Sequence, residues 1–336
     1  MKSNCRNRSL EMERRVNWSS TLSLIHACYE IDDSYVLMRN LSVMCVLFHI
    51  FLGALSVVTV CGNLLVIISI IYFKQLHTPT NTLILSLAVA DLLVGVIVFP
   101  LTIEFSMGVC MFDNNLLCQV RGVFDVSLCT SSILNLCCIS VDRYYAVCQP
   151  LTYKTKVNDH VVVVMVMVSW GLSLLIGVAF IIVGISQKNC TSTCLIDFII
   201  ANIFGLIFSF YLPVIVMLFI YLKIFFVARR QAHSIQSLKS RRTIGRLESK
   251  ATKTLAIVMG VFLICWLPFF LCQTVMSFSR VYIPIAVFEI LNWFALSNSM
   301  LNPFIYAFFY SWFRSAFRMI ISGKILNGDL SNSKLL

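Results

Sequence analysis

Long apolar runs alternate with short polar loops along almost the whole chain. Seven such runs cover residues 43–73, 79–108, 115–148, 159–184, 198–228, 249–279 and 284–309. Each reaches or exceeds the ~20 residues that a helix needs to cross a bilayer. We find no repeat of fixed period and no low-complexity segment among them. The pattern therefore predicts an all-α membrane protein, a single seven-transmembrane helix bundle.

The residues after the last run follow an amphipathic pattern. Apolar residues stand at 313, 316, 317, 320 and 321, and Arg314 and Arg318 lie on the opposite face. This spacing predicts a short eighth helix along the membrane surface. The expected organisation is an extracellular, glycosylated segment 1–42, a helix bundle 43–309, and an amphipathic helix with a short cytoplasmic tail 310–336.

Composition and charge agree with a membrane protein. The 336 residues are 59% hydrophobic and 12% charged, whereas about a quarter of a soluble domain is charged. The net charge of +11 comes mainly from basic residues in alternate loops and in the tail, so it predicts topology and no nucleic-acid partner. By the positive-inside rule the N-terminus is outside and the C-terminus inside, as expected for a multi-pass protein of the plasma membrane.

The segments expected outside carry glycosylation sequons. Residues 1–42 contain no apolar core of the kind that a signal peptide has. Asn-X-Ser/Thr tripeptides are acceptors for N-linked glycans where they reach the exterior. The predicted glycosylation sites are Asn7, Asn17 and Asn189.

Asp125 is a lone carboxylate in the third apolar run. Arg143, in the triplet Asp142-Arg143-Tyr144, follows eighteen residues later, about 27 Å along a helix and close to the thickness of the bilayer core. Burying a carboxylate in a membrane costs roughly 2.5–3.5 kcal/mol, which marks Asp125 as a functional residue. An ionised carboxylate in a partly dry pocket favours a protonated amine. Nearby aromatic residues could form a cation–π wall or ordinary core packing; they are Trp266, Phe269, Phe270 and Trp293.

Deeper in the apolar runs lies a set of polar residues around Asp91. A buried carboxylate with neutral oxygen donors can hold a small hard cation, and Na⁺ is the expected occupant. A hydrogen-bonded cluster without an ion is the alternative. The predicted sodium ligands are Asp91, Ser132, Asn298 and Ser299. No other cofactor is expected.

Three prolines, Pro213, Pro268 and Pro303, fall inside the predicted fifth, sixth and seventh helices. Each removes a backbone hydrogen bond and permits a kink. Such kinks suit a helix that moves, although they also occur in static membrane helices.

Several motifs in order resemble the rhodopsin-like G-protein-coupled receptors, over about residues 45–322. They are Gly62-Asn63, Leu87-Ala88-Val89-Ala90-Asp91, Asp142-Arg143-Tyr144, Trp170, Cys265-Trp266-Leu267-Pro268 and Asn302-Pro303-Phe304-Ile305-Tyr306. The resemblance implies that Arg143 is held by Asp142 at rest and engages a heterotrimeric G protein when helix six swings outward. It also implies that Tyr221 and Tyr306 assist, that Pro213, Ile133 and Phe262 form a packing switch, and that Asp125 pairs with an amine ligand.

A narrower resemblance is to the trace amine-associated receptors. It rests on segments 74–81, 136–144, 251–260 and 302–310, the last followed by Trp312-Phe313. This resemblance implies a stimulatory G protein that raises cyclic AMP, and an olfactory role, with a neuromodulatory role as the alternative. It also implies the disulfides Cys118–Cys194 and Cys28–Cys190. The expected ligand-binding set is Asp125, Cys129, Ser209, Trp266, Phe269, Phe270 and Trp293.

One departure from these relatives concerns Leu296, which stands where they often place a tyrosine that supports the amine-binding carboxylate. The fifth helix offers Gly205 and Ser209 rather than a second acid that could hold a diamine together with Asp125. Glu104 and Asp197 are candidate second acids, and the alternative for each is a solvated charge at the rim of the pocket. A conventional neurotransmitter-amine receptor is the alternative reading. A transporter or channel is disfavoured because repeats and broken helices are not found. An enzyme is disfavoured because the five histidines are scattered.

Overall fold

The seven predicted apolar runs form seven long helices, and a short eighth helix follows. The computed structural model describes residues 35–106, 116–186, 203–235, 242–278, 283 and 285–323. The helices are α1 (Tyr35–Tyr72), α2 (Pro79–Leu93, Val94–Val98 and Phe99–Ser106), α3 (Leu116–Cys148), α4 (Asp159–Ser186), α5 (Ile207–Tyr211 and Leu212–Ile235), α6 (Arg242–Phe278), α7 (Ile285–Phe309) and α8 (Ser311–Ile321). Short helices Lys74–Leu76 and Tyr153–Lys156 lie in two of the connections.

Two helices begin earlier than the apolar pattern suggests. α1 begins at Tyr35 rather than at residue 43, and α6 begins at Arg242 rather than at 249. Backbone hydrogen bonding extends a helix into its polar flank once the apolar part has formed, because propagation is easier than nucleation. In the described part of the chain, six helices are long and apolar enough to cross a membrane by length and composition. α7 spans 25 residues and carries Asn292, Asn298 and Asn302 on buried positions.

Side-chain caps set two of the helix starts. Thr78 precedes Pro79, and its Oγ1 accepts a hydrogen bond from the Asn81 N–H at 3.3 Å. Asn158 caps α4 in the same way, accepting from the Val161 N–H at 3.0 Å. At the other end of the chain, Gly323 takes a positive φ of 66° just after α8. Only glycine adopts this left-handed conformation at little cost, so the residue suits a helix stop.

Two helices contain a π-helical turn near a proline. Val94–Val98 lies just before Pro100 in α2, and Ile207–Tyr211 lies just before Pro213 in α5. A proline has no N–H to donate, and a wider turn accommodates the unpaired carbonyls that precede it. One carbonyl of the first turn, that of Gly95, accepts a hydrogen bond from Ser56 Oγ of α1 at 2.8 Å. Apolar periodicity gave no sign of either turn.

α3 lies at the centre of the bundle and packs against α2, α4 and α5, while α7 packs against α1 and α6. Glycines permit the closest approaches between these helices. A Cβ on Gly62 of α1 would lie 3.1 Å from the Pro303 ring, and one on Gly177 of α4 would lie 1.9 Å from Ser127 Oγ. Large apolar side chains such as Val163 and Phe219 are more than half exposed, as expected for residues that face lipid.

Candidate functional site

The two predicted sites on α3 lie towards opposite ends of the bundle. We call the end nearer Asp125 the outer end, following the predicted orientation, and the end with Asp142 the inner end. Asp125 is half-buried, and the thiol of Cys129, one turn along α3, donates to its Oδ1 at 3.4 Å. A thiol is a weak donor, so this contact does little to satisfy an ionised carboxylate. The charge of Arg121, one turn before Asp125 on α3, also acts on this carboxylate. The acid at the outer end attracts a cationic group, which would share it with Arg121.

Leu296 is the second feature that leaves the Asp125 carboxylate with few hydrogen-bond donors. The side chain is fully buried and belongs to the same apolar cluster as Cys129 and Trp293. Because leucine has no hydroxyl, α7 gives no donor at this position.

The predicted aromatic residues come together in one cluster. Trp266, Phe270 and Trp293 are buried, and Phe269 is half-buried beside them. The ring of Phe269 meets Phe270 edge-on with centroids 5.5 Å apart, and Trp293 stacks on Phe99 at 5.4 Å. The indole Nε1 of Trp266 has no hydrogen-bond partner among the described residues. It is a donor that a bound molecule could use.

Phe210 is an aromatic residue that the sequence reasoning missed. Its ring is fully buried, stacks on Phe270 with centroids 4.0 Å apart, and lies 6.2 Å from the ring of Phe262. It therefore joins the aromatic cluster to the predicted packing switch, in which Ile133 and Phe262 are both buried and Pro213 follows the π-helical turn. Phe210 belongs to that turn, so its inward direction depends on a local helix phase that the apolar pattern does not reveal.

Ser209 precedes Phe210 in α5 and is buried, and its hydroxyl donates to the Gly205 carbonyl at 2.6 Å. Its proton is thereby used inside its own helix. The side chain can still accept a hydrogen bond, but as a donor to a bound molecule it would first have to break this contact.

Glu289 is an acid of the outer end that we did not predict. It lies one turn from Trp293 on the face of α7 that also includes Asn292 and Leu296. Its Oε2 is buried without a hydrogen-bond partner among the described residues, and the charges of Arg121 and Asp125 both act on its carboxylate. The spacing of 289, 292, 293 and 296 places these residues on one face of a helix. The sequence therefore predicts that they lie together, but not that their face points into the bundle. Of the acids considered instead, Glu104 has only its helical backbone described, and Asp197 lies outside the described residues.

The polar residues around Asp91 form a connected cluster in the middle of the bundle. Asp91 is fully buried, Ser132 Oγ donates to its Oδ1 at 2.9 Å, and Asn302 Nδ2 donates to its Oδ2 at 2.7 Å. Ser299 is buried on α7, near enough for its hydroxyl to act on this carboxylate. Asn298 is buried nearby on α7, and its Nδ2 has no partner among the described residues.

This donor set fits a small hard cation. Asp91, Ser132 and Ser299 would supply one carboxylate and two hydroxyl oxygens, which are the ligand types that hard cations prefer. The ion would neutralise the buried charge. The hydrogen bonds from Ser132 and Asn302 also satisfy the carboxylate without an ion, so both of the expected arrangements are compatible with these side chains.

At the inner end, Asp142 is fully buried and receives several hydrogen bonds. Arg143 Nε donates to its Oδ2 at 2.8 Å, Thr80 Oγ1 donates to the same oxygen at 3.0 Å, and the Tyr153 hydroxyl donates to Oδ1 at 2.8 Å. Arg143 also donates to Thr80. Asp142 and Arg143 thus form a closed pair, in which each is bonded to the other. The loop after α3 is held against this pair by the hydrogen bond from Tyr153.

Tyr153 lies in the short helix Tyr153–Lys156 outside the membrane-spanning segments. Burial raises the pKa of its phenol; the contact with Thr80 lowers that pKa and the contact with Asp142 raises it, for a net increase. A raised pKa keeps the hydroxyl protonated at physiological pH, so it remains a donor to Asp142. Sequence reasoning missed both Thr80 and Tyr153. Thr80 is 62 residues from Asp142 along the chain, and Tyr153 lies beyond the end of α3, where helical spacing no longer applies.

The other residues predicted to act at the inner half are all in packed positions. The Tyr221 hydroxyl lies 3.2 Å from Ser140 Oγ, and the Tyr306 ring packs against Tyr310 with centroids 6.0 Å apart. Tyr144 packs against Ile220 and Ile224 of α5. Pro303 lies inside α7 beside Gly62.

Several predicted modifications fall where the structure gives no information. Cys28, Cys190 and Cys194 lie outside the described residues, as do Asn7, Asn17 and Asn189. Cys118 lies in α3, but its side chain is not described. The two disulfides and the glycosylation sites stay predictions.

Comparison with known proteins agrees with this arrangement. The family described as 7 transmembrane receptor (rhodopsin family) matches residues 62–306. The seven-helix bundle, with an acid at its outer end and a closed acid-base pair at its inner end, is thus that of a rhodopsin-family G-protein-coupled receptor. A protein of this class spans the membrane several times and is not an enzyme, which confirms both expectations.

Within this class, the chain is similar to several curated receptors. It is 41% identical over 319 residues to trace amine-associated receptor 4 of Rattus norvegicus, covering 88% of this chain and 91% of that receptor. It is 40% identical over 297 residues to trace amine-associated receptor 1 of Homo sapiens, covering 82% and 88%, and 37% identical over 339 residues to trace amine-associated receptor 9 of Homo sapiens, covering 95% and 97%. The chain belongs to the trace amine-associated receptor family, which confirms the narrower resemblance.

Proposed function

We propose that this chain is a receptor for small protonated amines and that Asp125 is the anchoring residue. The observation that carries the proposal is the half-buried carboxylate, supported by the weak thiol donor of Cys129 and placed beside an aromatic cluster. An ammonium group would supply the strong charge-assisted hydrogen bond that the carboxylate lacks. The aromatic rings would add cation–π attraction, about 0.5–2 kcal/mol. The names of the relatives, which refer to trace amines, support this ligand class.

The decisive test is the response of cells expressing the Asp125→Asn variant to a panel of primary, tertiary and di-amines. Asparagine keeps the size of the side chain but removes its charge, so we expect amine responses to fall at least about a hundredfold in potency, as for a buried charge pair. The matched control is Asp159→Asn, which neutralises an exposed acid at the inner end. Surface expression is measured for both variants. A normal amine response from Asp125→Asn at equal surface expression would falsify the anchoring role.

Leu296→Tyr tests the missing donor. If Asp125 lacks support from α7, then a tyrosine hydroxyl should alter amine potency or ligand choice, since it competes with the ammonium group and also fixes the carboxylate. An unchanged amine profile would show that Leu296 is only a packing residue.

The ligand chemistry favours an amine without a catechol ring. Ser209 already donates to the Gly205 carbonyl, so it is poorly prepared to recognise a ring hydroxyl. This weighs against a conventional neurotransmitter-amine receptor. The comparison of simple and hydroxylated aromatic amines in the same panel distinguishes the two.

The transducer in this proposal is a heterotrimeric G protein of the stimulatory type, read out as a rise in cyclic AMP. Arg143 would leave Asp142 and contact the G protein when α6 moves outward. Leu151 is a residue that the G protein would cover in this proposal: its apolar side chain is 97% exposed in the loop between α3 and α4, outside the membrane-spanning helices. The sequence reasoning did not single it out.

Ligand and transducer would be coupled through the interior of the bundle. The ring contacts from Phe270 through Phe210 to Phe262 form a continuous packed path between the outer pocket and the predicted packing switch. A sodium ion at Asp91 would stabilise the closed arrangement below them. An amine shifts the equilibrium only if it binds the open state more tightly.

The proposed location is the plasma membrane, with the N-terminus outside and the C-terminus in the cytoplasm. The charge distribution between loops supports this orientation. A chemosensory, olfactory role is the proposed context. Labelling of an epitope tag at either terminus in intact and permeabilised cells tests the orientation directly.

A further inference from the structure

An apolar groove of about 440 Å³ lies on the outside of the bundle between α3 and α4, away from the amine pocket. Its lining from α4 runs from His160 to Leu172, and Leu134 and Cys137 form part of its α3 wall. The adjoining side chains Val164 and Val168 are 60% exposed, so the groove opens towards the lipid. A molecule that occupies it must therefore come from the bilayer.

The inner surface of the groove is chemically apolar even where polar residues contribute to it. The Ser169 hydroxyl donates to the Met165 carbonyl at 2.9 Å and lies 3.4 Å from Cys138 Sγ. These groups are already paired within the protein. The inner surface of the groove can therefore make van der Waals contacts with a hydrocarbon chain, and its polar groups are not free to bind a ligand.

The length of the groove matches a chain from one leaflet. The twelve-residue interval from His160 to Leu172 spans about 18 Å of helix. One leaflet contributes about 15 Å of the ~30 Å hydrocarbon core. A lipid tail could therefore lie along the groove from its mouth at His160 to its end near the middle of the membrane.

The chain just before the mouth of the groove carries a net positive charge. Lys154 and Lys156 lie exposed in the short helix that precedes α4, and Asp159 is the single acid in residues 153–161. His160 itself lines the groove. Two lysines at the membrane surface attract anionic headgroups by about 1 kcal/mol each. We propose that this groove binds one acyl chain of an anionic phospholipid, with its phosphate held at Lys154 and Lys156. Sterols and neutral phospholipids lack the net negative charge that this mouth would recognise.

The test uses the purified full-length receptor in phosphatidylcholine nanodiscs that contain a small fraction of a photoreactive lipid. The probes are phosphatidylserine and phosphatidylcholine with the same diazirine on the acyl chain, and a diazirine sterol. Crosslinked peptides are identified by mass spectrometry. We expect the phosphatidylserine probe to label the α3 and α4 walls of the groove several times more strongly than the other two, and excess unlabelled phosphatidylserine to suppress the labelling.

Two valine variants separate the groove from the general lipid surface. Val164→Trp fills the groove and should lower the labelling about tenfold, the change expected when about two methylene groups lose their contacts. Val163→Trp is the matched control, because Val163 is 54% exposed and does not line the groove. Replacing Lys154 and Lys156 together by glutamine should abolish the preference for phosphatidylserine over phosphatidylcholine.

The proposal is overturned if the phosphatidylserine and phosphatidylcholine probes label the groove equally, or if the sterol probe labels it most strongly. It is also overturned if Val164→Trp and Val163→Trp have the same effect. The competition by unlabelled lipid is measured on the wild-type receptor, so the outcome does not depend on the folding of a variant. Amine binding is not needed for any of these measurements.

Discussion

Replacing Asp142 by asparagine should raise the basal activity of the receptor. The closed inner site depends on a charge-assisted contact, since Arg143 Nε donates to the buried Asp142 carboxylate at 2.8 Å. Asparagine keeps the shape but has one acceptor oxygen, whereas Thr80 donates to Oδ2 and Tyr153 to Oδ1 of the carboxylate. The change therefore removes the negative charge together with one acceptor. The resting state loses stability, whereas a state in which Arg143 has already left loses little.

The size of the effect follows from the type of hydrogen bond. A hydrogen bond to a charged group contributes about 1.5–3 kcal/mol, and the Arg143 side chain is 22% exposed, so we take the lower part of that range. A change of about 1.5 kcal/mol shifts the ratio of resting to active receptor about tenfold. If roughly 1% of the receptor is active without ligand, then roughly 10% should be active in the variant.

The assay is the basal cyclic AMP level, supported by binding of a non-hydrolysable GTP analogue to membranes, at matched surface expression. Asp159→Asn serves as the control because it makes the same change in an exposed acid at the same end of the bundle. Basal activity of Asp142→Asn equal to wild type, in both readouts, would refute the idea that this contact holds the receptor at rest.

Three further changes test other parts of the bundle. Glu289→Gln removes the second acid of the outer end and should weaken the response to diamines about tenfold more than to monoamines; equal losses in a dose–response series would contradict this. Asp91→Asn should abolish any dependence of agonist affinity on Na⁺, measured by replacing sodium with a large organic cation, and a dependence that persists would exclude Asp91 as a ligand. Gly177→Val should lower surface expression and thermal stability strongly, because its Cβ would lie 1.9 Å from Ser127 Oγ, whereas Gly171→Val, with nothing within 4 Å, should behave as wild type.

The apolar pattern was sufficient for the helices and for the residues that share one helix. Asp125 and Cys129 are one turn apart, and their contact follows from helical spacing. The grouping of Asp91 with Ser132, Asn298 and Ser299 came from the cost of burying polar groups and from the family resemblance. The structure brings Ser132 into contact with Asp91. It adds Asn302, which the sequence analysis placed only in the helix-seven motif.

Contacts between distant segments were harder to predict. Tyr153 reaches Asp142 because the loop after α3 folds back against the helix ends, and no periodicity encodes that path. Glu289 required knowing which face of α7 turns inward. Phe210 lies in a π-helical turn, where the usual 3.6-residue phase does not apply. These residues were missed for physical reasons of chain path and helix phase.

The two π-helical turns also set how the residues on one side of the turn are rotated about the helix axis relative to those on the other side, in α2 and in α5. A π turn holds an additional residue, and one residue corresponds to about 100° around an α-helix. The outer part of each helix can thus present a different set of side chains to the pocket while its inner part keeps the same contacts with α3. Deleting one residue within Val94–Val98 would turn the outer segment Phe99–Ser106 of α2 as a unit. Ligand recognition in this receptor can therefore change by a shift in helix register, with the signalling end left as it is.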